Sequence, residues 1–164
     1  DALVTNEPGY CLCVSTADCV PVLLYDPVHK AIAAVHAGWR GTVARIVERT
    51  LEVMKKTYDT DMKDVIACIG PSISVDAFEV GPEVYDAFRE ADFNMDKIAY
   101  WHTPSKEWHI DLWEANRWLL TQAGVPYGNI EVSGICTFTC DEQFFSARRL
   151  GIKSGRILSG IMLY

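Results

Sequence analysis

The order of strand-like and helix-like segments predicts an α+β fold. Short apolar stretches rich in Val, Leu and Ile, typical of β-strands, occur near both ends and in the middle of the 164-residue chain. Between them, three stretches carry apolar residues at spacings of three and four, which indicates amphipathic helices. Because strands and helices do not alternate strictly, we expect mixed sheets instead of one parallel α/β sheet. The length fits a single domain.

Strand-like segments dominate the first half of the chain. The chain opens in one, residues 1–5, without an initiating Met, and we therefore expect a fragment of a longer domain. Further strands are predicted at residues 10–14, 21–25, 30–36 and 64–69. Residues 30–36 are almost continuously apolar, which is typical of a strand buried on both faces.

Three helices are predicted, each with recognisable ends. The first covers residues 42–58, with Thr42 as its N-cap. The second, residues 83–91, follows a Gly-Pro pair, and Pro is favoured at a helix start. The third, residues 112–123, is capped by Asp111 and closed by Gly124.

The remaining segments are predicted to be shorter or irregular. Residues 78–80 and 108–111 are short extended pieces, and the polar stretch 92–106 is a long loop or a ragged hairpin. Residues 130–135 and 157–163 are strands, and residues 136–155 form a loop.

Composition and charge disfavour some classes of function. A formal charge of −7 disfavours a general binder of nucleic acid or anionic membranes. No apolar run is long enough for a membrane span. The six cysteines lack zinc-ribbon spacing, and several lie in strand-like runs, so we expect a reduced, cytoplasmic protein without a disulfide scaffold.

Cys19 and His36 are the leading candidates for chemistry. Each is predicted at the junction of a strand and a turn, and Gly38 and Gly41 flank the turn after His36. A thiolate and an imidazole together suit Zn²⁺ or copper, and they also suit a nucleophile pair. The alternatives are a buried structural thiol and a core histidine. A complete metal site needs three or four ligands, and only two are evident.

Arginines in two turns are candidate anion-binding residues. Arg40 follows Trp39 and could clamp a phosphate or a carboxylate, or it could form a surface ion pair with Glu79. Arg148 and Arg149 are adjacent, so at most one of them is expected to face a site.

Other polar residues have weaker signals. His109 and Asp111 form an acid/base pair if they lie on one strand face, although Asp111 is also well placed as a helix cap. His29 and His102 are expected to be solvated. Cys136 and Cys140 are expected to be structural or to line a substrate site.

Five motifs occur together in this chain in a specific order. They are residues 16–21 (TADCVP), 35–41 (VHAGWRG), 69–73 (IGPSI), 78–81 (FEVG) and 144–149 (FFSARR). The combination resembles the purine nucleoside phosphorylase family, also called the YfiH-like or multicopper polyphenol oxidase ("laccase domain") family. The resemblance implies mixed β-sheets in a sandwich-like arrangement flanked by helices. It also implies that residues 1–164 form one YfiH-like domain without the family's N-terminal segment.

The same resemblance implies a zinc site built from two histidines and one cysteine. Cys19 and His36 match two of these ligands and would be both metal-binding and catalytic. The other family histidine lies in an upstream motif that this sequence does not contain. The implied substrates are phosphate and the nucleosides adenosine, inosine, guanosine and methylthioadenosine, with adenosine deamination as a further activity. Arg40 or Arg148 would then bind phosphate or substrate, and Trp39, Phe78 and Phe145 would stack on the purine.

Three other functions remain open at this point. A copper-dependent polyphenol oxidase is one, although four histidines are few for a multicopper array. A metal-free Cys19/His36 hydrolase acting in peptidoglycan editing is another, and a non-enzymatic binding module is the third. The sequence does not indicate the oligomeric state.

Overall fold

Ten strands form three separate sheets in the computed structural model, which describes all residues 1–164. The strands are Ala2–Thr5 (β1), Cys11–Thr16 (β2), Val20–Asp26 (β3), Ala31–Ala37 (β4), Ile66–Ile69 (β5), Glu79–Val80 (β6), Ala99–His102 (β7), Glu107–Ile110 (β8), Ile130–Val132 (β9) and Ile157–Met162 (β10). The main sheet has the order β1-β4-β3-β5-β9, a second sheet pairs β10 with β2, and the third has the order β6-β8-β7.

Helices connect and cover these sheets. They are Trp39–Val43 (α1), Ile46–Tyr58 (α2), Pro82–Glu90 (α3), Met95–Ile98 (α4), Leu112–Gln122 (α5) and Ala147–Leu150 (α6). Short 3₁₀ turns lie at Met62–Asp64, Tyr127–Asn129 and Gly151–Lys153. None of the helices combines the length and the apolar composition that a membrane crossing requires.

The main sheet is covered on both faces. β2 and β10 pack against β3 and β4, while α2 and α5 pack on the main sheet with β4, β5 and β9. Residues Ala31 to Val35 of β4 are fully buried, as the apolar run predicted. The α+β class and the sandwich-like sheets flanked by helices are thus confirmed.

The ends of two predicted helices follow the local rules. The Asp111 carboxylate accepts a hydrogen bond from the Glu114 N–H at 2.9 Å and caps α5. Gly124 follows α5 with φ +104°, a conformation that L side chains rarely adopt, so the predicted glycine stop is confirmed. Pro82 is the first residue of α3, as predicted.

The single helix predicted over residues 42–58 is wrong, because the helix is broken. Gly38 is the N-cap of α1, Thr42 lies inside that helix, and Arg45 adopts a left-handed conformation with φ 59° before α2 begins. The Arg45 guanidinium bonds the Ala91 carbonyl at 3.1 Å and lies 5.4 Å from the Trp118 ring. These partners are distant in sequence, and the helical period alone could not indicate the break.

The stretch 92–106 is more ordered than a loop. It contains α4 and β7, and β7 pairs with β8 in an antiparallel hairpin, so the hairpin alternative is the correct one. The loop predicted over residues 136–155 similarly contains α6, whose N-cap is Ser146. The strand predicted over residues 130–135 ends at Val132.

Candidate active site

The Asp18 carboxylate connects the motif segments. Asp18 is buried, adopts a left-handed conformation with φ 78°, and precedes β3. Its carboxylate accepts hydrogen bonds from Thr137 Oγ1 at 2.8 Å, Ser146 Oγ at 3.0 Å and the Arg148 N–H at 2.6 Å. Partners more than 100 positions away in sequence are therefore held at the N-terminal end of β3.

The glycine-proline motif 69–73 packs beside the same turn. The Ile73 N–H donates to the Asp18 carbonyl at 3.0 Å, and the Gly70 N–H donates to the Pro21 carbonyl at 2.9 Å. Ser72 forms a parallel bridge with Cys136. Three of the five sequence motifs, 16–21, 69–73 and 144–149, thus meet at one end of the main sheet.

Cys19 and His36 converge next to Gly38. The antiparallel register of β3 and β4 pairs Val20 with Ala37 and Pro21 with His36, which places Cys19 beside the turn after β4. A Cβ on Gly38 would lie 2.9 Å from the Cys19 Sγ and 3.9 Å from the His36 Nε2. Both donor atoms therefore lie within 4 Å of one point, and a side chain at position 38 would crowd the Cys19 sulfur.

Burial favours the uncharged form of both groups. It raises the pKa of the Cys19 thiol above its ordinary 9.0, and the Asp18 carboxylate raises it further, while Arg156 acts in the opposite direction. It also lowers the pKa of His36 below its ordinary 6.5. A thiolate at position 19 therefore needs a bound cation or another positive group beside it.

Arg40 lies on the first turn after His36 and is available for a ligand. Its guanidinium stacks 4.2 Å from the centre of the Trp39 ring. It forms no ion pair with Glu79, so that alternative is wrong; the arginines that do form ion pairs are Arg45, Arg89, Arg117 and Arg149. Hydrogen bonds stabilise this turn, because the buried Thr42 Oγ1 donates to the Gly38 carbonyl and accepts from the Asn116 side chain.

The predicted residues of the 144–149 motif take different positions. Arg148 donates to the Glu79 carbonyl at 2.8 Å and lies 5.5 Å from the centre of the Phe78 ring. Phe78 is 9% exposed, and the Phe145 ring is about half exposed and packs over Gly155. Arg149 points away, toward the Phe138 carbonyl and Asp141. The two adjacent arginines thus point in different directions, and a role of Arg148 in binding substrate stays a prediction.

Two of the four histidines lie in surroundings that the sequence did not predict. His102 is only partly exposed and His109 is buried, and together with Glu79 they place one potential ligand atom each within 4.8 Å of one another. His102 therefore remains partly solvated, but the prediction missed its two neighbours. Of the two alternatives for Asp111, the helix cap is the one that forms, and the structure shows no His109/Asp111 pair.

The remaining sequence candidates make hydrogen bonds within the fold or lie close to residues that do. His29 is partly exposed and bonds the Asp26 carboxylate at 2.9 Å. The buried Cys136 thiol accepts the Ser74 N–H at 3.3 Å. Burial alone would raise the pKa of Cys136, but hydrogen bonds from Ser74 and Thr139 outweigh it and lower the pKa. Cys140 lies one turn further along the chain.

Three residues of this region received no role from the sequence. Asp18 lies inside a quoted motif and Arg156 directly precedes β10, but their proximity to Cys19 depends on the sheet pairing. Glu79 was considered only as an ion-pair partner. The only local signal for any of these three residues was the position of the acidic Asp18 directly before the candidate Cys19.

The fold and this end of the sheet define an α+β domain that presents a thiol and an imidazole at one point. A family model described as multi-copper polyphenol oxidoreductase laccase matches residues 1–164, and the chain belongs to that family. The resemblance indicated by the motifs is thereby confirmed.

Individual relatives have enzyme names. A purine nucleoside phosphorylase of Bacteroides thetaiotaomicron is 62% identical over 164 residues, covering 100% of this chain and 61% of the relative. An adenosine deaminase from an unknown prokaryotic organism is 48% identical over 161 residues, covering 98% of this chain and 61% of the relative. The crystal structure of the hypothetical protein YfiH of Bacillus licheniformis superposes with a TM-score of 0.92 at 38% identity. The superposition covers 100% of this chain and 61% of the YfiH chain. The chain thus spans about three fifths of the length of these proteins.

Proposed function

We propose that this chain carries the catalytic part of a zinc-dependent purine nucleoside phosphorylase that also deaminates adenosine. The proposed substrates are phosphate with adenosine, inosine, guanosine or methylthioadenosine. The observation that supports the proposal most is the convergence of the Cys19 Sγ and the His36 Nε2 on the open space beside Gly38. The names of the two relatives support the same chemistry.

The donor set is compatible with zinc. A cysteine sulfur and an imidazole nitrogen are both common zinc ligands, and they lie around a space that no side chain fills. These residues would provide two ligands, and the family resemblance implies that a histidine outside this chain provides a third. When bound, zinc supplies Lewis acidity at the reacting centre.

The chain's own residues would position the substrate. The Asp18 carboxylate holds residues 137–148 against the turn that carries Cys19, so it acts as a positioning residue. Arg40, stacked on Trp39 and free of ion pairs, would bind phosphate through its guanidinium. Trp39 and the half-exposed Phe145 offer aromatic faces to a purine, whereas Phe78 is 9% exposed and is bordered by Arg148.

A copper-dependent oxidation of phenols is the second candidate function, because the family is described as a multi-copper polyphenol oxidoreductase. Thiolate and imidazole also suit copper. The metal-free Cys19/His36 hydrolase is less favoured, because burial and Asp18 raise the pKa of the thiol and so disfavour a free thiolate. Metal analysis distinguishes the three functions: zinc is expected for the phosphorylase, copper for the oxidase and no metal for the hydrolase.

The direct test is incubation of the chain with adenosine and phosphate, followed by chromatography of the products. Adenine indicates phosphorolysis, and inosine indicates deamination. A Cys19→Ser variant is expected to lose both activities. Absence of any purine product from a folded, zinc-loaded chain with the relatives' N-terminal part supplied would contradict the proposal.

The role of Arg40 has its own prediction. Because a charge-assisted hydrogen bond to an anion contributes about 1.5–3 kcal/mol, Arg40→Ala is expected to raise the KM for phosphate by about tenfold or more. Arg49→Ala is the matched control, since Arg49 is exposed on α2. An unchanged KM for phosphate in the Arg40→Ala enzyme would show that another group binds the anion.

A further inference from the structure

The sheet β6-β8-β7 brings together three potential ligands that the proposed function does not use. In its register Glu79 lies opposite His109, and His109 lies opposite Tyr100. His102 is two positions beyond Tyr100, so it shares the same sheet face on the diagonal from His109. One carboxylate and two imidazoles therefore project from three neighbouring strands on one face.

His109 presents a lone pair without a partner. Its Nδ1 lies 2.8 Å from the Val75 carbonyl, which can only accept, so Nδ1 carries a proton and the lone pair of the neutral imidazole is on Nε2. His109 is 4% exposed, and its Nε2 is buried with no hydrogen-bond partner. The Glu79 Oε2 lies 3.6 Å from the His109 Nε2, too far for a hydrogen bond. A buried imidazole lone pair facing a carboxylate is the arrangement that a shared cation satisfies.

The other two ligands are also oriented by neighbours. The His102 Nδ1 lies 2.8 Å from the Ser105 hydroxyl, and Ser105 also lowers the pKa of Glu79. Tyr100 stacks on His109 with ring centres 4.9 Å apart. A carbonyl behind one histidine and a hydroxyl behind the other are partners that commonly orient metal-binding imidazoles.

From this geometry we propose that Glu79, His102 and His109 bind a divalent transition-metal ion, with Zn²⁺ or Co²⁺ as the best match. Imidazole nitrogens favour these ions over Mg²⁺ and Ca²⁺, which prefer oxygen ligands. The three ligand atoms lie within 4.8 Å of one another. Ligands of a tetrahedral ion lie roughly 3.3 Å apart, so small rotations of the half-exposed Glu79 and His102 complete the site. This site shares no ligand with Cys19 and His36.

Cobalt is the probe that distinguishes the two sites. Co²⁺ bound to a thiolate shows a near-ultraviolet charge-transfer band, whereas the proposed site contains no sulfur. The metal-free Cys19→Ser chain is titrated with Co²⁺ and followed by visible absorbance and calorimetry. We expect it to bind one equivalent without the thiolate band and to release it on addition of Zn²⁺.

The site is assigned with variants of the two half-exposed ligands, Glu79 and His102, because a variant of the buried His109 could fail to fold. In the Cys19→Ser background, Glu79→Gln and His102→Asn are each expected to weaken Co²⁺ binding by about tenfold or more. His29→Asn is the matched control, since it removes a partly exposed histidine elsewhere, and it is expected to leave the affinity unchanged. Circular dichroism establishes that each variant is folded.

Two results would overturn the inference. One is a folded Cys19→Ser chain that binds no Co²⁺. The other is binding that persists in the Glu79→Gln and His102→Asn variants, or that falls equally in the His29→Asn control. None of these readouts depends on nucleoside turnover, so failure of this proposal and failure of the proposed function are distinguishable.

Discussion

Replacing Gly38 with Ala tests whether the space beside Cys19 is as the structure describes it. Gly38 has φ −69° and ψ 171°, which any residue adopts, so the substitution introduces no backbone strain. The new Cβ would lie 2.9 Å from the Cys19 Sγ, while its distances to the Cys19 Cβ and the His36 Nε2, 3.8 and 3.9 Å, are ordinary contacts. The perturbation is therefore one steric clash with one sulfur atom.

The structure also sets the size of the effect. Relief of the clash needs a shift of about 0.5 Å, and rotation of the Cys19 side chain by about 30° moves the sulfur by roughly 0.9 Å at a cost of about 0.5–1.5 kcal/mol. Gly38→Ala should therefore lower the free energy of unfolding by about 1 kcal/mol. Because the sulfur leaves its position near His36, zinc affinity and turnover should fall by about a hundredfold.

A double-mutant cycle checks this reasoning. The free energy of unfolding is measured by urea denaturation for the wild type, Gly38→Ala, Cys19→Ala and the double variant. With the sulfur removed, Gly38→Ala should cost almost nothing, so a coupling energy of about 1 kcal/mol is expected. An equal cost in both backgrounds would refute the assignment of the clash to the Cys19 sulfur.

Two further predictions concern buried carboxylates. Asp18→Asn should lower the free energy of unfolding by about 2–3 kcal/mol, because three hydrogen-bond donors lose a charged acceptor. It should also make residues 137–148 more sensitive to proteases. The control is Asp141→Asn, which removes an exposed ion pair and should lower the free energy of unfolding by less than about 1 kcal/mol. Burial opposes ionisation of Asp26, but hydrogen bonds from His29 and the Val28 N–H outweigh it and hold the pKa of Asp26 below its ordinary 3.8. The carboxylate therefore stabilises the fold above pH 3.8, and this stability is lost as the pH falls through the lower folded-state value. The unfolding free energies of wild type and Asp26→Asn should differ by about 1–3 kcal/mol near neutral pH and converge in acid; a difference that grows in acid would contradict the assignment.

Much of the secondary structure followed from local signals. The buried run of β4, the Asp111 cap and Gly124 stop of α5, and the Pro82 start of α3 depend on residues close in sequence. The break at Arg45 did not follow, because the left-handed residue is held by Ala91 and Trp118 from other segments. The same is true of β7, whose partner strand completes its hydrogen bonds.

Residue types and motif order by themselves determined the fold class, the family and the choice of Cys19 and His36 as candidates. Only the tertiary structure decided that their sulfur and nitrogen lie within 4 Å of one point beside Gly38, that Asp18 holds the loop after residue 136, and that Glu79, His102 and His109 share one sheet face. The physical reason is that strand register, which no local pattern specifies here, decides which side chains from distant segments become neighbours.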